Sequence, residues 1–138
     1  MVNTINMQDM RYINLFGKVT KISTRYCFEY NNTIFFCVPK VMVSKAVGEG
    51  GKNVKEISKI IKKKVKVIPI PKGIEDVEKF IEKIVSPVEF KEAVVEGDEI
   101  ILTAGSMSKA ALIGRNRRRL IEMQKIMSSF FGKEFRIV

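Results

Sequence analysis

Hydrophobic positions along the first half of the chain alternate between strand-like and helix-like spacing. Runs rich in β-branched and aromatic residues predict two strands that meet at Asn31-Asn32, a pair that favours a tight hairpin turn. Between residues 52 and 64, apolar residues recur at the spacing of one helix face. The predicted elements, in order, are helix 3–16 ending at Gly17, strand 22–30, strand 33–38, helix 40–47, helix 52–64 and strand 65–70.

The second half of the chain repeats this order of elements, and Gly48 falls on Gly114 when the halves are aligned at an offset of 66 residues. Its predicted elements are helix 74–85, strand 88–95, strand 99–103, a short helix capped by Ser106 or Ser108 that runs to Ile113, helix 118–131 and strand 134–138. The core-facing residues expected in the last helix are Leu120, Ile121, Met127 and Phe131. The repeat predicts an α+β fold of two tandem domains, 1–71 and 72–138, each with a three-stranded sheet packed against three helices.

Residues 48–51, which we call the first loop, contain the glycines Gly48, Gly50 and Gly51. Glycine accepts positive φ angles, and it lets another backbone approach closely because it has no side chain. The loop opens a predicted helix, and the amide groups at a helix N-terminus favour a phosphate. Lys52 adds a positive charge there, which the helix dipole by itself disfavours. The sequence therefore predicts a phosphate contact, although a plain turn between helices would show the same glycines.

The chain is strongly basic, with a formal net charge of +10 and a pI near 9.7. Residues 1–71 hold 13 basic against 4 acidic side chains, whereas residues 72–138 hold 12 against 11. In the second half, basic residues concentrate at Arg115 and at 117–119. This charge favours a polyanionic partner, most often a nucleic acid. A solvated surface that stabilises the fold at high temperature is the alternative for the lysines at 62–64.

The composition argues against catalysis and against a bound metal or cofactor. The chain has no histidine, the commonest general base and metal ligand, and Cys27 and Cys37 alone cannot form an ordinary structural zinc site. The first loop does not match a P-loop, because Asn53 follows Lys52 where Ser or Thr is required. We therefore expect neither an enzyme nor a small-molecule substrate.

The sequence also argues against a membrane partner. No apolar run reaches the roughly 20 residues that a membrane-spanning helix needs. Gln8, Asp9 and Arg11 interrupt the stretch where a signal peptide would need an apolar core. We therefore expect a cytoplasmic protein.

Residues 47–54, Val-Gly-Glu-Gly-Gly-Lys-Asn-Val, resemble the KH-domain signature, in which Gly-x-x-Gly lies between aliphatic positions. The helix and strand before the two-helix core resemble the type II KH order. Two such units over the whole chain resemble the archaeal NusA-like transcription factors. In the second unit, Arg117 stands where the signature has its second glycine, and in the first unit Glu49 occupies a position that is usually basic or small in the family.

This resemblance implies single-stranded RNA binding in transcription elongation or termination, with RNA polymerase as a candidate protein partner. A KH loop clamps about four unpaired nucleotides. The residues expected to contact RNA are Gly48, Glu49, Gly50, Gly51, Lys52, Lys55 and Lys59 in the first unit and Gly114, Arg115, Asn116, Arg117 and Arg118 in the second. Two alternatives stay open: a KH protein of ribosome assembly, and a docking module for polymerase or ribosome in which only the first unit touches RNA.

Overall fold

The computed structural model describes residues 6–138, and the chain divides into two compact units between Ile70 and Pro71. Within the described residues, each unit contains three α-helices and a three-stranded sheet, in the order predicted from the sequence. The α+β architecture is therefore confirmed. No helix in residues 6–138 combines the length and the apolar character needed to cross a bilayer.

The first unit is built around a central strand that pairs with both of its neighbours. Its elements are α1 (Met7–Thr20), β1 (Tyr26–Tyr30), β2 (Thr33–Val38), α2 (Val43–Val47), α3 (Lys52–Ile61) and β3 (Lys64–Pro69). Strand β2 runs antiparallel to β1 and parallel to β3. Asn31 and Asn32 join β1 to β2 with φ angles of 52° and 58°, the left-handed geometry that two-residue hairpins favour. The hairpin predicted at this pair is confirmed.

Helix α1 differs from its prediction at both ends. Residues 3–5 of the predicted helix lie outside the described residues, and the described helix begins at Met7, where the Asn6 side chain caps it. The prediction that Gly17 ends the helix is wrong. The residue that ends it is Lys21, which takes a left-handed conformation (φ 63°) and donates its amide to the Gly17 carbonyl at 2.9 Å. The helix therefore passes through the glycine and ends one turn later.

The core of the first unit lies between one face of the sheet and the three helices. The Phe16 ring of α1 stacks on the Phe36 ring of β2, with centroids 4.5 Å apart, and both side chains are fully buried. Ala46 of α2 and Ile57 of α3 are buried in the same cluster. Burying an aromatic or aliphatic side chain of this size contributes about 1.5–3 kcal/mol. Because α2 and α3 are both held by this core, the chain that connects them is fixed relative to the sheet.

The two cysteines behave as small buried hydrophobic residues. Cys27 and Cys37 are free thiols on neighbouring strands, and neither is exposed. Burial raises the pKa of both thiols well above the ordinary range. Since the thiolate is the reactive form, these side chains are packed groups rather than nucleophiles or ligands.

The second unit repeats the topology of the first. Its elements are α4 (Val77–Val85), β4 (Glu92–Glu96), β5 (Glu99–Thr103), α5 (Ser106–Ile113), α6 (Arg118–Phe131) and β6 (Glu134–Ile137). Strand β5 lies in the centre, antiparallel to β4 and parallel to β6. Helix α6 has 14 residues against 10 in α3, which adds about one turn. The offset predicted from the sequence therefore holds as far as the loop before α6 and grows by four residues beyond that helix.

Two predictions for the second unit are wrong in detail. Strand β4 begins at Glu92, four residues later than predicted. Helix α5 does begin at Ser106, but its cap residue is Gly105, and no serine side chain caps it. The Gly105 carbonyl accepts the Lys109 amide at 2.7 Å, which is the first hydrogen bond of the helix.

The buried stripe of helix α6 includes Met127, as expected, but it is otherwise made of other residues than those predicted. Its buried residues are Met123, Ile126, Met127 and Phe130. Ile121, expected to face the core, is 45% exposed. The reason is the phase of the helix, since Ile121 lies two residues before Met123 and residues at that spacing do not share a face.

Candidate nucleic-acid interface

The first loop is a sharp turn between α2 and α3 that depends on three left-handed glycines. Helix α2 ends at Val47, and residues 49–51 form a single 3₁₀ turn. The φ angles of Gly48, Gly50 and Gly51 are 82°, 62° and 78°. The Gly51 amide donates to the Gly48 carbonyl at 3.0 Å, which closes the turn. L-residues rarely adopt such angles, so glycine suits each of these three positions.

Gly48 is required by the fold itself. Its φ and ψ of 82° and 164° fall in a region that is open essentially only to glycine. A Cβ atom at this position would also lie 3.0 Å from the backbone nitrogen of Asn53. Gly48 therefore permits the close approach of α3 to the end of α2, and a bound ligand is not needed to explain it.

Gly50 and Gly51 leave space on the outside of the turn. No heavy atom lies within 4 Å of the position that a Cβ would occupy on Gly50. The corresponding position on Gly51 has only the Lys55 Cε nearby, at 3.7 Å. The missing side chains are thus not filled by the protein, so a ligand backbone could approach both glycines.

Positive charge surrounds this open surface. Lys52 begins α3, Lys55 follows in its first turn, and Lys59 lies in its last turn, about 10 Å along the helix axis from Lys52. All three side chains are exposed, and none forms an ion pair within residues 6–138. The cap residue of α3 is Gly51, and no side chain caps the helix; the Lys52 amide donates to the Glu49 carbonyl instead. An anion at this end would be attracted by the helix dipole and would neutralise the lysines.

Three other residues bear on the first loop. The Asn53 side-chain amide donates to the Lys45 carbonyl at 3.3 Å, which ties the start of α3 to the end of α2. Lys45 is itself exposed and adds a cation that sequence reasoning missed, although its position three residues before Gly48 could have indicated it. Glu49 is also exposed, and its carboxylate opposes a phosphate at this turn.

Residues 114–117, which we call the second loop, have almost the same backbone as the first. Gly114 has φ and ψ of 74° and 171°, close to the values of Gly48. Asn116 and Arg117 replace Gly50 and Gly51, yet their φ angles are 57° and 61°. A left-handed conformation costs an ordinary L-residue roughly 1–2 kcal/mol, so Arg117 is held in this geometry by the helices on either side. The second loop thus has the same backbone shape as the first, although two of the three glycines are replaced.

The arginines of the second loop divide into two groups. Arg115, Arg117 and Arg118 are exposed, and none forms an ion pair within the described chain. The Arg119 Nε, in contrast, lies 3.2 Å from a carboxylate oxygen of Glu122, with both side chains mostly buried. Only the first group is therefore available to a ligand. The structure thus gathers the residues predicted for each unit around its own loop, except that Lys59 lies near the far end of α3.

Comparison with known proteins gives one relative and one similar structure. No family model matches the chain. Over 100 residues it is 29% identical to the probable transcription termination protein NusA of Methanococcus vannielii, an alignment that covers 71% of this chain and 56% of that protein. The chain is thus distantly similar to an archaeal NusA-like protein, and it spans about half the length of the curated relative it matches.

A crystal structure of APE1850 has the same fold. The TM-score is 0.68 at 21% sequence identity, and the match covers 97% of this chain and 99% of that one. The observed elements, two three-stranded sheets each packed with helices, are compatible with two tandem KH-like domains. At this identity, the likeness carries the fold and not the function.

Proposed function

We propose that this protein binds single-stranded RNA through the first loop and acts as a NusA-like factor in transcription elongation or termination, without catalysing a reaction. Both units are then type II KH domains. The observation that carries the proposal is the open, cationic surface at Gly50 and Gly51. The turn itself requires only left-handed backbone angles at these positions. Nothing else in the loop requires this surface to be free of side chains.

The charges around the loop fit a polyanion better than they fit the helix. A cation in the first turn of a helix opposes the dipole by about 0.3–1 kcal/mol. Lys52 and Lys55 both occupy this turn of α3, and neither is compensated by a carboxylate of the described chain. A phosphate lying over Gly50 and Gly51 would attract both lysines and would offset this cost. A bound anion would therefore stabilise the start of α3.

Single-stranded RNA is the polyanion that this geometry suits best. A glycine surface admits the sugar-phosphate backbone closely, and consecutive phosphates can meet Lys52, Lys55 and then Lys59 along α3. The distant similarity to a probable transcription termination protein supports the same class of ligand. We place RNA polymerase as the candidate protein partner on that similarity alone.

Removing the three lysines tests the proposal through its salt dependence. For the combined change Lys52→Ala, Lys55→Ala and Lys59→Ala, we expect weaker binding of an unstructured six-nucleotide RNA. Each phosphate contact on a single strand contributes about 0.7 to the slope of log affinity against log salt, so the slope should flatten by up to about 2. Fluorescence anisotropy titrations from low to physiological salt measure both quantities.

The matched control removes three exposed lysines of the same unit that belong neither to the loop nor to α3, Lys18, Lys64 and Lys66, of which Lys66 lies over the Phe35 ring at 5.9 Å. This control changes the net charge by the same amount, and we expect at most a twofold loss of affinity. Equal losses in the two triple variants would show general charge attraction and would remove the loop from the mechanism.

A further inference from the structure

The two loops share a backbone but carry different surfaces. Three exposed positions beside the first loop are polar or cationic, and their counterparts beside the second loop are apolar. These matched pairs, first unit before second, are Ser44 and Ala110, Lys45 and Ala111, and Lys55 and Ile121, whereas Val41 and Met107 are a matched pair that is apolar and exposed in both units. The second loop thus has alanine and isoleucine where the first loop has two flanking lysines, and exposed methionine where the first has valine.

These apolar residues lie on the two helices that the second loop connects. Met107, Ala111 and Gly114 fall at a spacing of about one turn each, so they share one face of α5 that leads to the loop. Met107 is 88% exposed and Ile121 is 45% exposed. Ile121 occupies the position of Lys55, and Arg117, the cap residue of α6, lies four residues before it, a spacing at which residues on a helix are neighbours. Leaving such side chains in water has no benefit for the isolated chain.

This surface is less suited to a phosphate backbone than the first loop. Asn116 and Arg117 add side chains where Gly50 and Gly51 leave open space, so close backbone approach is lost. The exchange of Lys45 for Ala111 and of Lys55 for Ile121 also removes two of the flanking charges. What remains is arginine beside methionine and isoleucine, and arginine and methionine are enriched at protein interfaces where lysine is depleted.

We infer that the second loop and its apolar flank form a docking surface for an acidic protein segment that carries apolar side chains. We call this the second-loop surface, and its residues are Met107, Ala111, Arg115, Arg117, Arg118 and Ile121. The three exposed arginines pair with carboxylates, for which the planar guanidinium is the best partner, and Met107 and Ile121 pack against aliphatic side chains. The first unit then binds RNA and the second unit binds protein. This assignment replaces the RNA contacts that the sequence predicts at the second loop.

A designed peptide tests the docking surface. The probe is a 14-residue helical peptide with leucines on one face and glutamates on its flanks, titrated by fluorescence anisotropy. Two control peptides keep its length: one has lysine for each glutamate, and the other has serine for each leucine. We expect only the first peptide to bind the wild-type protein at physiological salt.

Variants of the chain locate the binding. The change Arg115→Ala, Arg117→Ala and Arg118→Ala should lower the affinity for the acidic peptide at least about tenfold, because each charge-assisted hydrogen bond contributes on that order. The change Met107→Ser and Ile121→Ser keeps all charges and should lower the affinity about fivefold or more. The matched control Val41→Ser in the first unit should leave peptide binding unchanged, and circular dichroism melting checks that every variant folds.

The same proteins titrated with the six-nucleotide RNA separate this inference from the proposed function. We expect the arginine variant to retain RNA affinity within about twofold. A tenfold loss of RNA affinity in that variant would overturn the docking assignment in favour of a second RNA site, as would peptide binding that ignores the second-loop changes. Absence of peptide binding to the wild-type protein also overturns it. If the wild-type protein binds no RNA, the proposed function fails, while the peptide results still decide the docking surface.

Discussion

The double change Gly50→Asp and Gly51→Asp is expected to lower the affinity for a six-nucleotide single-stranded RNA by at least about tenfold while the fold is retained. Aspartate tolerates the left-handed conformation, and the second loop already holds Asn116 at the position of Gly50. A Cβ added at Gly50 meets no heavy atom within 4 Å, and one added at Gly51 meets only the Lys55 Cε at 3.7 Å. The aspartate side chains would instead occupy the surface on which we place the phosphates, and they bring two negative charges to it.

The matched control for this change is Gly50→Asn with Gly51→Asn. Asparagine has the same shape as aspartate without its charge, so the difference between the two variants isolates electrostatic repulsion from loss of space. We expect the asparagine variant to bind RNA with an affinity between those of the wild type and the aspartate variant. Wild-type affinity in a folded aspartate variant would contradict RNA binding at the first loop.

The second large effect is expected on stability, from Gly48→Ala. The dihedral angles of Gly48 fall in a region that is accessible essentially only to glycine. Backbone strain there would cost an alanine roughly 1–3 kcal/mol. The new methyl group would also lie 3.0 Å from the Asn53 backbone nitrogen, so α3 would have to shift away from α2. Gly114→Ala should act in the same way, because its Cβ would lie 3.1 Å from the Arg119 backbone nitrogen.

Urea unfolding followed by circular dichroism measures this effect, with Gly50→Ala as the control. Gly50 has open space around it, and the strain of a left-handed alanine is partly offset because alanine also restricts the unfolded chain. We therefore expect the free energy of unfolding of the control to fall by less than about 1 kcal/mol. Equal losses of this free energy at Gly48 and Gly50 would show that the strain of left-handed angles explains the whole effect, without the close approach of α3.

The parts of the fold that depend on local pattern could be predicted from the sequence. Strand β2, the Asn31-Asn32 hairpin and the bounds of α6 follow from periodicity and turn chemistry over a few residues, and the repeat was visible from the alignment of Gly48 with Gly114. Element ends were less predictable. Gly17 has the composition of a stop signal, but α1 packs against the sheet past it, and that tertiary contact decides where the helix ends.

The site was predictable in its location but not in the roles of its residues. From the sequence, Gly48, Gly50 and Gly51 look equivalent. The distance from an added Cβ on Gly48 to the Asn53 backbone shows that Gly48 is needed for packing, whereas Gly50 and Gly51 have open space beside them. From the sequence, Arg117 likewise looks like a break in the motif. The structure keeps the turn at Arg117, because the helices on both sides fix its ends and impose the left-handed angle. The sequence predicts Ile121 in the core, whereas the phase of α6 turns it outward.

The most direct measurement of the central claim is an NMR titration of the ¹⁵N-labelled wild-type protein with the six-nucleotide RNA. If RNA lies over the open glycines, the largest amide shifts will cluster at residues 48–55, with smaller changes along α3 toward Lys59. If the RNA binds and these amides do not move, the first loop is not where the strand lies, and the RNA-binding role proposed for its glycines and lysines is contradicted.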